Sequence, residues 1–319
     1  MSTLKVNNIQ NASGTDAISI GSDGSLSYPN IGRRNLVING AMQVAQRGTS
    51  FTGYNIYTLD RWRTSVDVVP TQTISQEQQT DGTYVLLVNM TNGGISQVQQ
   101  RIERGCNILS GKQVTFSYDI WGSGNIDVIA GDNASGANIH SESITVPSTR
   151  TRQSVTFTVP TQTSATDNML RVGFGCRPTT NVRITNVQLE VGSVATPFEH
   201  RSYGEELALC QRYYFRNINS EVTGGANCRH YLGYADTSTN AIFPIRYPVR
   251  MRAIPTLSYS GTWNCESSSS SNVTSISIGG ATTYVGTVNT ISGAMSTKGY
   301  AVGLRSNDTS AYIDFDAEL

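Results

Sequence analysis

The sequence predicts an all-β chain: a jelly-roll sandwich, a short helix and a second, smaller β-sandwich domain, preceded by an extended N-terminal arm. Three observations lead there. Apolar residues recur at every second position in several segments, as in strands with one buried face. Only 14% of the residues are charged, against about 25% in ordinary domains. Ser, Thr, Asn, Gln and Gly take their place, which suits short strands and tight turns. Only one stretch has the spacing of an amphipathic helix.

Residues 1–34 form the arm. Its apolar residues stand singly, at Leu4, Val6, Ile9, Ile18, Ile20 and Leu26, and Ala17-Ile18-Ser19-Ile20 before Asp23-Gly24 reads as one short strand and a turn. Such a segment cannot bury a core alone. It is expected either as a disordered tail or as an arm that orders against copies of itself or another protein. In the second case Leu4, Val6, Ile9, Ile18 and Ile20 make the attachment.

Residues 35–200 are expected to form the jelly roll. Val114, Phe116, Tyr118 and Ile120 alternate with Thr115, Ser117, Asp119 and Trp121; Val155, Phe157 and Val159, then Leu170, Val172 and Phe174, then Val187, Leu189 and Val191 repeat the pattern. Gly173-Phe174-Gly175 lacks the third glycine of a dinucleotide fingerprint and reads as a turn pair ending its strand. Residues 201–214 carry the helix, with Ser202 and Glu205 at capping-box spacing and Leu207, Cys210 and Tyr214 as its apolar stripe. Residues 215–319 return to strands. Pro244 and Pro248 fit edge strands or strand ends, and Cys265 to Asn272 reads as a flexible polar loop.

Several function classes are disfavoured. The net charge is zero, which gives no field for nucleic acid or an acidic membrane, so neither partner is expected. All but three of the 23 basic residues are arginines, a bias that hints at fixed pairs in interfaces. Five cysteines stand far apart without a CxxC, so free thiols are expected and a disulfide framework or zinc site is not. There is no apolar leader at Met1–Gln10 and no stretch long enough to insert in a membrane, so synthesis and assembly in a cytoplasm are expected. His140, His200 and His230 are remote from one another, and no GxSxG, HExxH or P-loop occurs. Asp60, Asp67, Asp119, Asp127 and Glu142 are scattered, with nothing pairing any two for glycoside hydrolysis. No catalytic residue, metal or cofactor is therefore expected.

Binding has more material. Aromatic rings stack on the apolar faces of sugars at low entropic cost. Tyr54, Tyr57 and Trp62 cluster beside polar neighbours, and Trp121 lies off the core face of its strand; these four are the candidate glycan contacts. A tryptophan in the first strands of a sandwich is more often a core residue than a ligand platform.

Particular runs also resemble a known group of proteins. Arg34-Asn35-Leu36-Val37-Ile38-Asn39-Gly40-Ala41-Met42-Gln43-Val44-Ala45-Gln46-Arg47-Gly48, followed by Tyr57-Thr58-Leu59-Asp60-Arg61-Trp62, is similar to the opening of jelly-roll modules in bacteriophage tail-fibre and other virion proteins. Val187 to Glu199 resembles their closing strand, shared with carbohydrate-binding modules. Leu209 to Tyr214, Arg250 to Thr256 and Asp316-Ala317-Glu318-Leu319 resemble elements of the same phage proteins, and Met1 to Val6 with Ile9-Gln10 resembles the attachment arms of marine podovirus and cyanophage fibres. The resemblance implies a virion protein, a homotrimeric fibre attached by its arm to other tail or capsid proteins and meeting host-surface glycan. The alternative is a capsid cement, decoration or head-fibre protein bound to the major capsid protein. No sugar-contact residue belongs to the matching motifs.

Overall fold

The computed structural model describes residues 6, 8–10, 16–20, 26–27, 33–66, 71–133, 136–162, 168–218, 229–293 and 297–319. Leu4, Asp67 and Cys228 lie outside them. Within the arm, β1 (Asn8–Gln10), β2 (Asp16–Ile20) and β3 (Leu26–Ser27) pair in an antiparallel sheet, with Ile9 opposite Ile18 and Ile20 opposite Leu26. Val6 is exposed.

The sandwich is built from β4 (Ser50–Phe51), β5 (Arg63–Val66), β6 (Thr71–Gln78), β7 (Tyr84–Asn92), β8 (Ser96–Ile102), β9 (Gln113–Ser123), β10 (Asn125–Asp132), β11 (Asn138–Thr145), β12 (Thr151–Thr158), β13 (Leu170–Cys176) and β14 (Asn181–Val191). One sheet has the order β11-β10-β13-β8-β5 and the other β12-β9-β14-β7-β6-β4. The chain crosses between the sheets repeatedly, from β7 to β8, β8 to β9, β9 to β10 and β11 through to β14, as a jelly roll requires. The alternating residues meet in the middle: Phe116, Tyr118 and Ile120 from one sheet pack with Val98, Val128, Val172 and Phe174 from the other. A one-turn helix, α1 (Gly105–Ile108), closes one end under the buried Cys106.

The opening run is a clasp. The Asn35 side chain donates to Val187 O and accepts from Leu189 N–H, while Asn39 donates to Val44 O and Asp60 O and accepts from Val44 N–H. Gln46 closes the loop by giving its backbone and side-chain N–H groups to Asp60, each at 2.6 Å. These asparagines are structural because short amides satisfy backbone groups that no ladder reaches.

Helix α2 (Tyr203–Gln211) starts at the expected cap, Ser202 accepting from Glu205 N–H. It is shorter than 201–214: Tyr214 already begins β15 (Tyr214–Ile218). The C-terminal region continues with β16 (Arg229–Ala235), β17 (Asn240–Arg246), β18 (Thr256–Ser260), β19 (Trp263–Glu266), β20 (Ser270–Gly279), β21 (Val285–Ser292), β22 (Ala301–Ser306) and β23 (Tyr312–Asp316). The second domain is all-β as expected, but its strands are arranged as a closed barrel, β16-β17-β21-β20-β19-β22, with a sheet β15-β23-β18 beside it. Closure between β16 and β22 removes the open edges that a small sandwich would leave. It needs a bare backbone at Gly233, where a Cβ would stand 2.0 Å from Ile242 O.

Pro244 sits inside β17 at an edge position: β16 pairs with β17 only at Tyr234 and Ala235, leaving no partner for the missing N–H. One expectation for this region is corrected. Cys265–Asn272 is a tight hairpin rather than a flexible loop, with Asn264 opposite Asn272 and Glu266 opposite Ser270, anchored by the buried Cys265 and Trp263. Cys106, Cys176, Cys210 and Cys265 are all free and buried. Burial pushes the Cys106 thiol up to about 11 and that of Cys176 to about 12, so both stay protonated and unreactive.

Sandwich and C-terminal region are joined by arginines. Arg61 is fully buried, pairs with Glu318 and stacks on the Tyr213 ring at 3.6 Å. Arg47 reaches Asp316 and Glu318 and lies 3.5 Å over the Tyr214 ring. Arg212 pairs with Glu103 at 3.1 Å. Three of the separated sequence runs noted above, Asp60-Arg61-Trp62, Tyr213-Tyr214 and Asp316 to Leu319, thus form one contact.

Candidate functional site

The proposed ring contacts fall in four different environments. Trp62 is fully buried and its indole N–H donates to Asn39 O, so it is a core residue and offers no face to a sugar. Trp121 lies on the outer face of the six-stranded sheet, where the Arg150 guanidinium covers its ring at 5.4 Å. Tyr57 gives its hydroxyl to Leu319 O at 2.5 Å and has Arg47 over its ring at 5.2 Å, and burial pushes its hydroxyl pKa up. Tyr54 is exposed in the loop leading to the edge of the five-stranded sheet. The fold does not gather the four into one platform.

What the fold does gather is a different set. Residues facing each other across the five-stranded sheet form rungs, and those out of phase with the core point outward. One rung runs Tyr57, Arg63, Gln99, Gly173, Ile129, Ser141. The next runs Ser65, Gln97, Gly175, Asp127, Ser143. On the other side Arg101 faces Arg171, which faces Gly131. The middle strand β13 therefore carries no side chain at Gly173 and Gly175, a narrow trough between Gln97 and Gln99 on one side and Asp127 and Ile129 on the other, whose glycine floor is buried by these neighbours.

The two glycines are inside β13, not at a turn as the sequence suggested. A Cβ on Gly173 would lie 2.2 Å from Val98 O and 2.6 Å from Gln99 Cα, so the close approach of β8 demands glycine. At Gly175 the nearest atoms to such a Cβ are Ile95 Cγ2 at 3.3 Å and Asp127 Cβ at 3.5 Å, a floor with little room to spare.

The polar groups along the trough divide in two. Asp127 is committed: Arg177 donates to both its oxygens at 2.8 and 3.0 Å, and Ser143 donates to it as well. The side-chain carbonyls of Gln97 and Gln99 are buried and accept no hydrogen bond among the described residues; Gln99 is only 2% exposed. A buried acceptor without a donor costs about 1–3 kcal/mol; an incoming hydroxyl would relieve that cost only after the amide turns its oxygen outward.

Other places are less suited. A cavity of about 580 Å³ lies between Gln43, Gln46, Gln76, helix α2 and β15. Gln46, Gln76, Arg216 and Asn217 on its wall are already bonded to Asp60, Met42 O, Asp314 and Tyr231. The scattered carboxylates are not paired either among the described residues: burial raises the Asp60 pKa against the opposing pull of Arg47 and the Gln46 hydrogen bonds, and Asp119 is held by Arg150 and Arg152. No cluster of three or more His, Cys, Asp or Glu able to hold a metal occurs among the described residues, and no described helix is long and apolar enough to cross a membrane.

The trough residues were missed in the sequence, although Gln97-Val98-Gln99 alternates polar and apolar groups as a half-buried strand does.

No family model matches the chain, and no curated protein matches it. Solved structures do. A CBM4 carbohydrate-binding module is 16% identical, with a TM-score of 0.36, over 48% of this chain and 98% of its own. TmCBM61, solved in complex with β-1,4-galactotriose, is 14% identical with a TM-score of 0.31, over 50% of this chain and 99% of its own. The enzymatically active domain of tailspike protein 4 of bacteriophage CBA120 is 14% identical with a TM-score of 0.34, over 50% of this chain and 21% of its own.

Proposed function

We propose that the chain is a non-catalytic structural protein of a bacteriophage particle, a homotrimeric fibre attached through its arm, whose sandwich binds a host-surface glycan in the trough over β13. The observation that carries the binding site is the pair of buried, unpartnered carbonyls of Gln97 and Gln99 beside a glycine floor. A flat, hydroxyl-bearing ring can lie over such a floor, and its hydroxyl groups can donate to both amides once these side chains turn outward. Tyr54, exposed where the chain enters the sheet edge, is placed to add ring contact. Binding without turnover is the reading favoured, because Asp127 is the carboxylate of the two central rungs and is already spent on Arg177 and Ser143. The virion role rests on the sequence resemblance.

A glycan array of host polysaccharides, probed with the intact protein and with Gln97→Leu/Gln99→Leu, tests the binding site. Signals present for the first and lost for the second support it; signals unchanged in the double variant place recognition elsewhere. Light scattering and cryo-EM of the particle test the remainder: a mass near one chain, or no density for the protein on the virion, would sink the fibre reading.

A further inference from the structure

Three arginines gather along the trough without an Asp or Glu side chain bonded to them among the described residues. Arg63 flanks Gln99 on β5, Arg101 follows two residues along β8, and Arg171 stands directly opposite Arg101 on β13. None of the three pairs with an Asp or Glu side chain among the described residues. Arg101 donates to Leu319 O at 2.7 Å and its Nε–H is buried without an acceptor. Arg171 donates to Gly136 O at 2.8 Å and more weakly to the Asn138 side chain. Arg63 has no hydrogen-bond acceptor among the described residues. Burial, and after it the like charge of Arg101, lowers the Arg63 pKa. Asp127 on the neighbouring rung is taken by Arg177, and Glu318, at the Tyr57 end, by Arg61 and Arg47.

This is unusual for the molecule. Its net charge is zero, and most of its arginines face a carboxylate: Arg47, Arg61, Arg150, Arg152, Arg177, Arg183, Arg201, Arg212, Arg216 and others all do so. Like charges placed directly across two strands destabilise a sheet, and half-buried guanidinium groups without partners add a desolvation cost. Such a cluster beside unsatisfied amides is what an anionic ligand would relieve, since a guanidinium fork matches a carboxylate or sulfate in geometry as well as charge.

We propose that the glycan bound in the trough is acidic, a polysaccharide bearing uronate or sulfate groups, with Arg63, Arg101 and Arg171 meeting its anionic groups while Gln97 and Gln99 meet its hydroxyls. This rests on the trough being the glycan site. Arg63 is the group most open to a ligand, since it has no internal bond to lose; Arg101 and Arg171 are partly held by backbone carbonyls and set the positive field around it.

The test uses matched saccharides that differ only in charge: trigalacturonate with its carboxyl-reduced galactotriose, trimannuronate with mannotriose, and a sulfated galactotriose with the same sugar unsulfated. Affinities are measured for the intact protein, Arg63→Gln, Arg63→Lys and Gln97→Leu/Gln99→Leu. In at least one pair the acidic member binds tenfold or more tightly than its neutral partner, and its affinity falls as salt rises from about 50 to about 300 mM. Arg63→Gln reduces that affinity about tenfold, as expected for a charge-assisted bond, Arg63→Lys recovers part of it, and neither lowers the melting temperature. Preference for uronate over sulfate, or the reverse, identifies the anionic group. If neutral members bind as tightly as acidic ones and are lost in the glutamine double variant, the acidic reading falls and the trough stands. If saccharides bind equally to the double variant, or none of the six binds, both readings fall.

Discussion

The two outer faces of the sandwich are made from similar residues and behave in opposite ways. On the six-stranded sheet the polar groups are closed on themselves. Asp119 accepts from Arg150 at 3.0 Å, Arg152 at 3.2 Å and Asn186 at 2.9 Å. Thr115 and Thr156 bond across β9 and β12, and Glu190 accepts from Gln188 and Thr196 where the chain returns over the sheet after β14. On the five-stranded sheet the middle strand carries glycine at two outward positions, and among the described residues two amide carbonyls accept nothing and three arginines have no Asp or Glu partner. The first face has spent its hydrogen-bonding capacity on folding; the second has kept it. Polarity alone does not mark a binding surface, but unspent polarity at a glycine floor does.

The core beneath both faces sets the largest effect. Trp62→Ala should cost ~3–5 kcal/mol, the usual range for emptying a buried aromatic site, and remove one of the two donors to Asn39 O, the other being Met42 N–H. Thermal unfolding would show it; a loss below about 1 kcal/mol would mean that the ring is not part of the core. Next comes the floor of the open face. Gly173→Ala should cost about 3 kcal/mol, because the methyl group must displace Val98 O or Gln99. Gly175→Ala, with contacts of 3.3 Å or more, should cost less than about 1 kcal/mol. Equal losses at the two positions would show that β8 does not approach β13 more closely at Gly173.

The closed face should respond in stability only. Asp119→Ala removes the shared acceptor of Arg150, Arg152 and Asn186, and should destabilise by about 1–2 kcal/mol. Saccharide affinity should not change. A fall in affinity without a fall in stability would move recognition to this face and to Trp121.

Much of this architecture is legible in the sequence and the key part is not. The alternation in β9, β12 and β13 reports one buried face and one free face, and the Ser202–Glu205 spacing reports the start of α2. The trough is assembled from the free faces of β8, β13 and β10, which lie far apart in the chain, and strand order and register are not written in local pattern. Gly173 and Gly175 mislead because a glycine in a turn and a glycine under a close strand look alike in sequence. Rings mislead in the same way: Trp62 and Tyr57 stand five residues apart, one in the core and the other holding the chain at Leu319. Asp60-Arg61-Trp62 and Asp316 to Leu319 gave no hint that they touch, since the buried pair Arg61–Glu318 joins positions at opposite ends of the chain.

The central claim, that the five-stranded face keeps its amides for a ligand, is tested most directly by Gln99→Leu. The substitution nearly conserves volume and removes a buried carbonyl that nothing satisfies among the described residues. Calorimetric titration with a saccharide that binds the intact protein, together with a melting curve, gives both readouts on one sample. Affinity should fall about tenfold, the worth of one well-placed hydrogen bond, while the melting temperature holds or rises. Unchanged affinity with a lower melting temperature would contradict the account, since the amide would then be part of the fold and not of the site.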